Sequence, residues 1–566
     1  MLKQAIADAL KDALTRASAA GELTLETVPE VGVETPRDPD HGDYATNLAM
    51  VLAKPLRMPP LKIAETIVRH LAKDDTIGSV SIAAPGFINV RVATNRLAEC
   101  ARTILQQGGA AGIQPFGQGQ RVLLEYVSAN PTGPLHVGHA RWAVIGSTLA
   151  SLLQAVGFET HQEFYINDAG NQMRLLGASV DARMQELAGR ASKMPEDGYQ
   201  GAYIREVAQA AREHLDASFV GLPVEARVAT LTGFARDYLL ELQKRTLLAL
   251  NTHFDVFYSE TTLHEQDRVS EAIARLKQTG HLYEHEGAWW LRSTAYGDDK
   301  DRVVVRENGQ PTYLAADIAY HWDKLRRGYD RLIDILGADH HGYVARIRAA
   351  VQALGGQDDT LAVVIGQMVN LFRDGEPVRM SKRTGDMVTA QEVVDEVGTD
   401  AARYFLVMRS TDSTLDFDLA LAKRESADNP VFYVQYAHAR ICSIIRVADE
   451  QGLSPEVGET SETVFIHPSE RQLLLKLASY SDEVVAAAKA LEPYRLARYA
   501  QELASLFHQF YAHCRVLTDD RVVTQARLGL IAATREILRH VLVDLLGVTA
   551  PLRMASLTEE GASAQA

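Results

Sequence analysis

Residues 121–142 read RVLLEYVSANPTGPLHVGHARW. Val122 to Tyr126 is an apolar run of strand length. It gives way to a turn rich in Pro and Gly, and a helix is predicted to open near His136. A strand that feeds a helix through such a turn builds an anion site, because the N–H groups of the first helical turn and the positive end of the helix dipole point out of it. His136 and His139, three apart, are predicted to share one helix face and to reach one phosphate group. Gly138 between them lets a nucleotide approach the backbone. Much later the chain reads Met380-Ser381-Lys382-Arg383-Thr384-Gly385. This places a lysine on a Gly-containing loop able to close over the other side of a polyphosphate.

Strand and helix signals alternate from Arg121 to about Thr411, which predicts a parallel sheet with crossover helices. RVLLEYV, HQEFYIN, LIDILG and LAVVIGQ are the strand candidates. FDVFYSE, GAWWLRS and RVVVRENGQPTYLAAD read as a further strand-rich section. Between about 174 and 250 the period is helical, interrupted by KMPEDGYQ, which reads as a helical insertion in a sheet domain spanning 120–411. Residues 1–115 read as a small α/β unit. It opens with Leu2, Ile6, Leu10 and Leu14 at helical spacing and closes with a helix from Thr94 to Gln107. From about Asp416 to Met554 the pattern is helical with no strand signal, so 412–566 is predicted to be a helical bundle.

The bulk numbers narrow the class. The chain has 566 residues, 46% hydrophobic content and a net charge of −15. That is enough chain for about three domains, and the acidity argues against sequence-independent coating of nucleic acid. No apolar run is long enough to span a membrane. The N-terminal helix carries Asp8 and Asp12 and lacks the apolar core of a signal peptide, so a cytoplasmic location is expected. Cys100, Cys442 and Cys514 are isolated in sequence, which argues against a disulfide scaffold or a zinc site.

Taken together and in this order, HVGH and MSK resemble the HIGH and KMSKS signatures of class I aminoacyl-tRNA synthetases. The run LLEYVSANPTGPLHVGHAR is similar to that of the arginyl-tRNA synthetases of bacterial type. GDYATNLAMVLAK and PGFINV resemble that family's added N-terminal domain, which touches the tRNA elbow. NPVFYVQYAHARI and GVTAPLRM resemble the two ends of its anticodon-binding bundle. The resemblance implies an α/β architecture: a Rossmann-like parallel-sheet catalytic domain, a small N-terminal α/β domain and a C-terminal all-α bundle. It implies that His136, His139 and Lys382 are catalytic and that His136, Gly138, His139, Met368, Ser381 and Lys382 bind ATP. Glu125, Asn130, Tyr313, Asp317 and His340, with Asp339 as the alternative to His340, would hold arginine. A guanidinium calls for such planar acceptors. Phe87, Asn89, Tyr433, Tyr436 and Met554 would contact tRNA by stacking and edge contacts, although a place in the helix core is the alternative for both tyrosines, more so for Tyr433 than for Tyr436. The first lysine of KMSKS is replaced by Arg379 and its last serine by Arg383. The C-terminal pattern reads Ala550-Pro551-Leu552-Arg553-Met554 where many relatives have APERM.

The expected activity is ATP-dependent ligation of L-arginine to its tRNA through an adenylate, releasing AMP and pyrophosphate. ATP with Mg2+ is the substrate pair, no structural metal is expected, and the chain is expected to act as a monomer with no membrane partner. Two other readings stay open: a class I synthetase for another amino acid, and a non-catalytic tRNA-binding protein on the same scaffold. Apolar amino acids would more often need an editing insertion, and intact His136, His139 and Lys382 argue against the non-catalytic reading.

Overall fold

Five strands form one parallel sheet, in the order Leu361–Gly366, Arg331–Gly337, Arg121–Glu125, Glu159–Ile166 and Val256–Ser259. The chain direction of travel across the sheet reverses between Arg121–Glu125 and Arg331–Gly337. Their carboxyl ends are therefore the topological switch point where ligands bind in open α/β sheets. The computed structural model describes residues 2–25, 27–36, 38–72, 75–378, 388–458 and 461–555, with side chains at all of these except 39, 217, 339–341, 461 and 462.

The central strands are apolar on both faces, as a parallel sheet covered by helices requires: Val122, Leu123, Leu124, Leu332 and Ile333 are all fully buried. FDVFYSE joins this sheet as an edge strand and is not part of a separate strand-rich section. The crossover before it hides the pairing, since it holds the helices Asn171–Leu187, Ala202–His214 and Val224–Ala249. Only the stretch after it forms its own sheet, an antiparallel meander of Leu282–His285, Ala288–Leu291 and Arg302–Val305. A second correction concerns Leu415–Asp418, read as the start of the helical region. It is a strand paired in parallel with Val369–Arg373. Leu415 and Phe417 are buried while Asp416 is exposed, a period-2 pattern too short to stand out in sequence.

The helix Val137–Ala155 runs through the middle of the catalytic region, buried on nearly every side. Gly146 makes this possible, since a Cβ there would lie 2.3 Å from the Tyr126 ring. At the N-terminal end of the chain, Leu2, Ile6, Leu10 and Leu14 are fully buried along one face of the helix Leu2–Ala19. Phe87–Val92 is the middle strand of a three-stranded antiparallel sheet. The helix Thr94–Gln107 then packs on the C-terminal helices Pro468–Ala478 and Arg521–Arg539. Arg471 locks the seam, lying 2.5 Å from Asp43 Oδ2 and donating to the Val92 carbonyl at 2.8 Å. The C-terminal helices bury the stripes foreseen from spacing, among them Leu473, Leu474, Leu496, Leu503 and Phe507. Among the described residues, no helix is long and apolar enough to cross a membrane.

One buried cation joins three distant segments. Arg403, 2% exposed, donates to the carbonyls of Leu250 at 2.6 Å, Asn251 at 3.1 Å and Leu546 at 2.8 Å, and to Ser147 Oγ at 3.2 Å. Burial lowers its pKa to about 10, so its charge persists at neutral pH. Arg403→Met keeps the bulk but strands these acceptors in the core. It is expected to cost about 2–4 kcal/mol of stability, read as a fall in the urea midpoint with the slope unchanged.

Candidate active site

His136 is the N-cap of its helix, not a residue of the first turn. Its backbone is extended, and its Nδ1 accepts from the N–H of Gly138 at 3.1 Å and of His139 at 3.4 Å. His139 Nδ1 accepts in turn from the His136 N–H at 3.3 Å. The result is a capping box built from two imidazoles, with ring centroids 3.7 Å apart and planes 19° from parallel. This changes the anion site expected from sequence. The N–H groups of Gly138 and His139 are taken by the His136 ring and do not point outward. A neutral imidazole that accepts at Nδ1 carries its proton at Nε2, so each ring of the pair keeps one N–H. Gly138 has a local duty as well: a Cβ there would lie 2.9 Å from His136 Cε1, so its absence leaves room for the capping ring.

Arg141, which sequence reading missed, fixes this helix to the next loops. It is fully buried and donates to the carbonyls of Gln367 at 2.7 Å, Ser410 at 2.9 Å and Ser413 at 3.1 Å. Met368 follows Gln367 and is 64% exposed beside the carboxyl end of Leu361–Gly366. The chain that follows the second signature reaches this place. Thr389 forms an antiparallel bridge with His136, and the Ala390 N–H donates to the Leu135 carbonyl at 2.8 Å. Ser381 and Lys382 themselves lie outside the described residues.

Glu125 ends its strand at the switch point. The residue is buried, 8% exposed. Lys324 Nζ lies 2.5 Å from its Oε2, and Ser128 Oγ donates to its Oε1 at 2.9 Å. The turn that delivers Ser128 is strained, with Val127 at φ 66° and Ser128 at φ 42°. Asn130 donates to Gln172 Oε1 at 2.9 Å, a contact to the helical insertion. Across the cleft, the helix Tyr313–Arg326 carries Asp317, which accepts from the Tyr343 hydroxyl. Tyr313, at the helix start, is 88% exposed. His340 lies on the short turn Ala338–Tyr343 after the strand Arg331–Gly337, and its side chain is not among those described.

Sequence reading also missed Glu260. It follows the strand Val256–Ser259, and its pKa is raised by burial and by the nearby Asp317 and Asp168 carboxylates, with His264 opposing. Tyr165 ties the set together. Its hydroxyl is pushed well above the ordinary phenol range by burial and then by Glu260, Asp317 and Glu125. The cleft is thus acidic around an aromatic wall, in which Tyr165 packs on Tyr320 with centroids 4.5 Å apart and on Tyr258 at 6.2 Å. Such a site favours a cation with planar, multiple donors.

The tRNA-facing candidates divide. Phe87 is 38% exposed, whereas Asn89 is 6% exposed between Ala45 and Ser81 of the neighbouring strands. Tyr436 is buried, its hydroxyl accepting from Arg440 at 2.6 Å and its ring stacked on His508, while Tyr433 is half-buried against the same histidine. Met554 is half-exposed near the end of the described chain. Arg495 and Arg498 are paired with Glu483 and so make a poor basic face.

Comparison with known proteins sets this geometry in a lineage. Residues 1–92 match the arginyl tRNA synthetase N-terminal domain, 101–438 the class I (R) catalytic domain of tRNA synthetases, and 434–554 the DALR anticodon-binding domain. The chain belongs to the arginyl-tRNA synthetase family. An arginine–tRNA ligase of Moorella thermoacetica is 48% identical over 98% of this chain and 99% of its own length. One of Symbiobacterium thermophilum is 48% identical over 98% and 99%. The arginyl-tRNA synthetase structure from Thermus thermophilus superposes with a TM-score of 0.77 at 25% identity, covering 98% of this chain and all of that one.

Gly138→Ala is expected to push the His136 ring off its cap. Loss of a cap costs about 0.5–2 kcal/mol, visible in thermal unfolding. Histidine ring nitrogen shifts should report loss of the accepting Nδ1.

Proposed function

We infer that this chain ligates L-arginine to its tRNA with ATP, through an arginyl-adenylate, and releases AMP and pyrophosphate. The observation that carries this reading is the set of carboxylates Glu125, Glu260 and Asp317 around Tyr165 at the switch point of a class I sheet. An arginine side chain neutralises this acidity and offers bidentate N–H pairs to it. An apolar amino acid would offer nothing to this acidity, which disfavours a synthetase for such an amino acid.

The chemistry asks for positioning and charge neutralisation more than covalent help. The substrate carboxylate attacks the α-phosphate, and pyrophosphate leaves. In our reading the Nε2–H groups of His136 and His139 donate to phosphate oxygens as charge builds on them. Lys382 accompanies the leaving pyrophosphate, a role supported by Thr389, close after it in the chain, which pairs with His136. Mg2+ arrives on the polyphosphate as part of the substrate. Among the described residues no group of three or more His, Cys, Asp or Glu side chains is arranged to hold a metal. Met368 offers an exposed thioether to the adenine. Phe87, Tyr433 and Met554 are the more accessible of the tRNA candidates.

ATP–pyrophosphate exchange with each amino acid, with and without tRNA, tests the reading. Exchange is expected with L-arginine and only when tRNA is bound; exchange supported by a different amino acid would overturn it. Asp317→Ala and Glu125→Ala should each raise the KM for arginine by about 10- to 100-fold, the equivalent of one charge-assisted bond, and change the KM for ATP far less. His139→Ala and Lys382→Ala should instead lower kcat more than they raise the KM for arginine, as expected for contacts that develop in the transition state.

A further inference from the structure

Glu125 shares its counter-ion. The Lys324 side chain is fully buried, and its Nζ lies 2.5 Å from Glu125 Oε2 and 2.8 Å from Asp334 Oδ1. The other Asp334 oxygen is 2.9 Å from His321 Nε2, and His321 Nδ1 is 2.8 Å from the carbonyl oxygen of Asp317. Asp317, His321 and Lys324 lie four and three residues apart on one helix, so they form a single stripe facing the sheet. A chain of contacts therefore runs from Glu125 through Lys324, Asp334 and His321 to the backbone of Asp317. It links the two carboxylates assigned to the substrate from opposite sides of the cleft.

Among the described residues, the charged or titratable groups around Glu125 come from three elements. Lys324, His321 and Tyr320 come from the helix Tyr313–Arg326, Asp334 from the adjacent strand, and Tyr165 and Glu163, the register partner of Glu125, from the strand on the other side. One ammonium serves two carboxylates, and it serves them unequally. Burial raises the pKa of Glu125 and the Asp334 charge adds to that, against the pull of Lys324. Asp334 is also opposed by burial, yet Lys324 and His321 together hold it far below the usual carboxylate range.

We propose that Lys324 and Asp334 are positioning residues that act on Glu125 in opposite senses: Lys324 keeps its carboxylate charged and aimed at the cationic substrate, and Asp334 competes for the same ammonium. The inference rests on the reading of Glu125 as an arginine contact. Its consequence is a substrate affinity that depends on pH. Glu125 must be ionised to receive the cation, so the KM for arginine rises as pH falls through the raised pKa of this group. Removing Lys324 takes away the influence that lowers that pKa, and the acid limb moves to higher pH. Removing the Asp334 charge takes away an influence that raises it, and the limb moves to lower pH.

The test is the KM for arginine from about pH 5 to about pH 9, at saturating ATP and tRNA, for Lys324→Met, Lys324→Arg, Asp334→Asn and Glu125→Gln. Lys324→Met should raise KM about tenfold or more at the acid end, with a smaller change in kcat, and Lys324→Arg should restore part of the profile. Asp334→Asn, nearly isosteric and the less disruptive change, should shift the limb the other way. Glu125→Gln should raise KM and flatten the limb. If Glu125→Gln leaves KM unchanged, the reading of Glu125 as a substrate contact fails. If it raises KM but Asp334→Asn leaves the limb in place, or moves it to higher pH, the competition for Lys324 is refuted while the substrate reading stands. A pH-independent fall in kcat for Lys324→Met, not relieved in Lys324→Arg, would likewise reduce Lys324 to a support of the fold.

Discussion

A buried ammonium is tolerable only where carboxylates meet it, and Lys324 meets two at a sheet's switch point. That requirement fixes more than one side chain. Glu125 and Asp334 are partners in register on adjacent parallel strands, so the lysine clamps the helix Tyr313–Arg326 across the boundary where the strand order reverses. A second clamp lies along the same helix. Arg327, just past its end, and Tyr320 both bond the fully buried Glu163 carboxylate, at 2.5 Å and 2.6 Å. Together they prevent the helix from sliding on the sheet. Asp317 and the cleft it faces inherit that rigidity.

How far the sequence foretold this depends on the range of the interaction. The turn from Glu125 to His139 was legible because strand, turn and helix are contiguous, and the helix Thr94–Gln107 has the bounds expected of it. Glu125 and Asp317 were reachable through motif resemblance. Lys324, Arg141, Arg403 and Glu260 were not, since each owes its role to partners far away in the chain. A faint signal existed for Lys324. It falls on the stripe of its helix that also holds the buried Tyr320 and His321, and a charged residue on a buried face calls for a buried counter-charge. Val256–Ser259 was misplaced for a related reason: its partner strand lies across a long helical insertion, and pairing over such a distance leaves no local period.

That insertion is itself part of the site's support. Tyr203 donates through its hydroxyl to the Thr132 carbonyl at 2.8 Å, and Gln243 donates to the carbonyls of Asn130 at 2.9 Å and Gly133 at 2.8 Å. The Pro- and Gly-rich turn before His136 has few partners of its own for these carbonyls. Helices inserted elsewhere in the sheet supply them and hold the turn to one shape. The double-imidazole cap is thus aimed from two sides, by Arg141 behind it and by the insertion beside it.

Arg403 carries an implication for how the molecule comes into being. Its guanidinium is satisfied by Leu250 and Asn251, made well before it, and by Leu546, made long after. While the chain is still being synthesised, the catalytic sheet can be complete and yet hold a cation whose last acceptor does not exist. The seam cannot close dry until the final helix arrives, so the catalytic region and the C-terminal bundle are bound to reach their finished state together. A nascent chain stalled before Leu546 would keep that seam wet and accessible, and in the cell such a chain is the form that chaperones and proteases would meet.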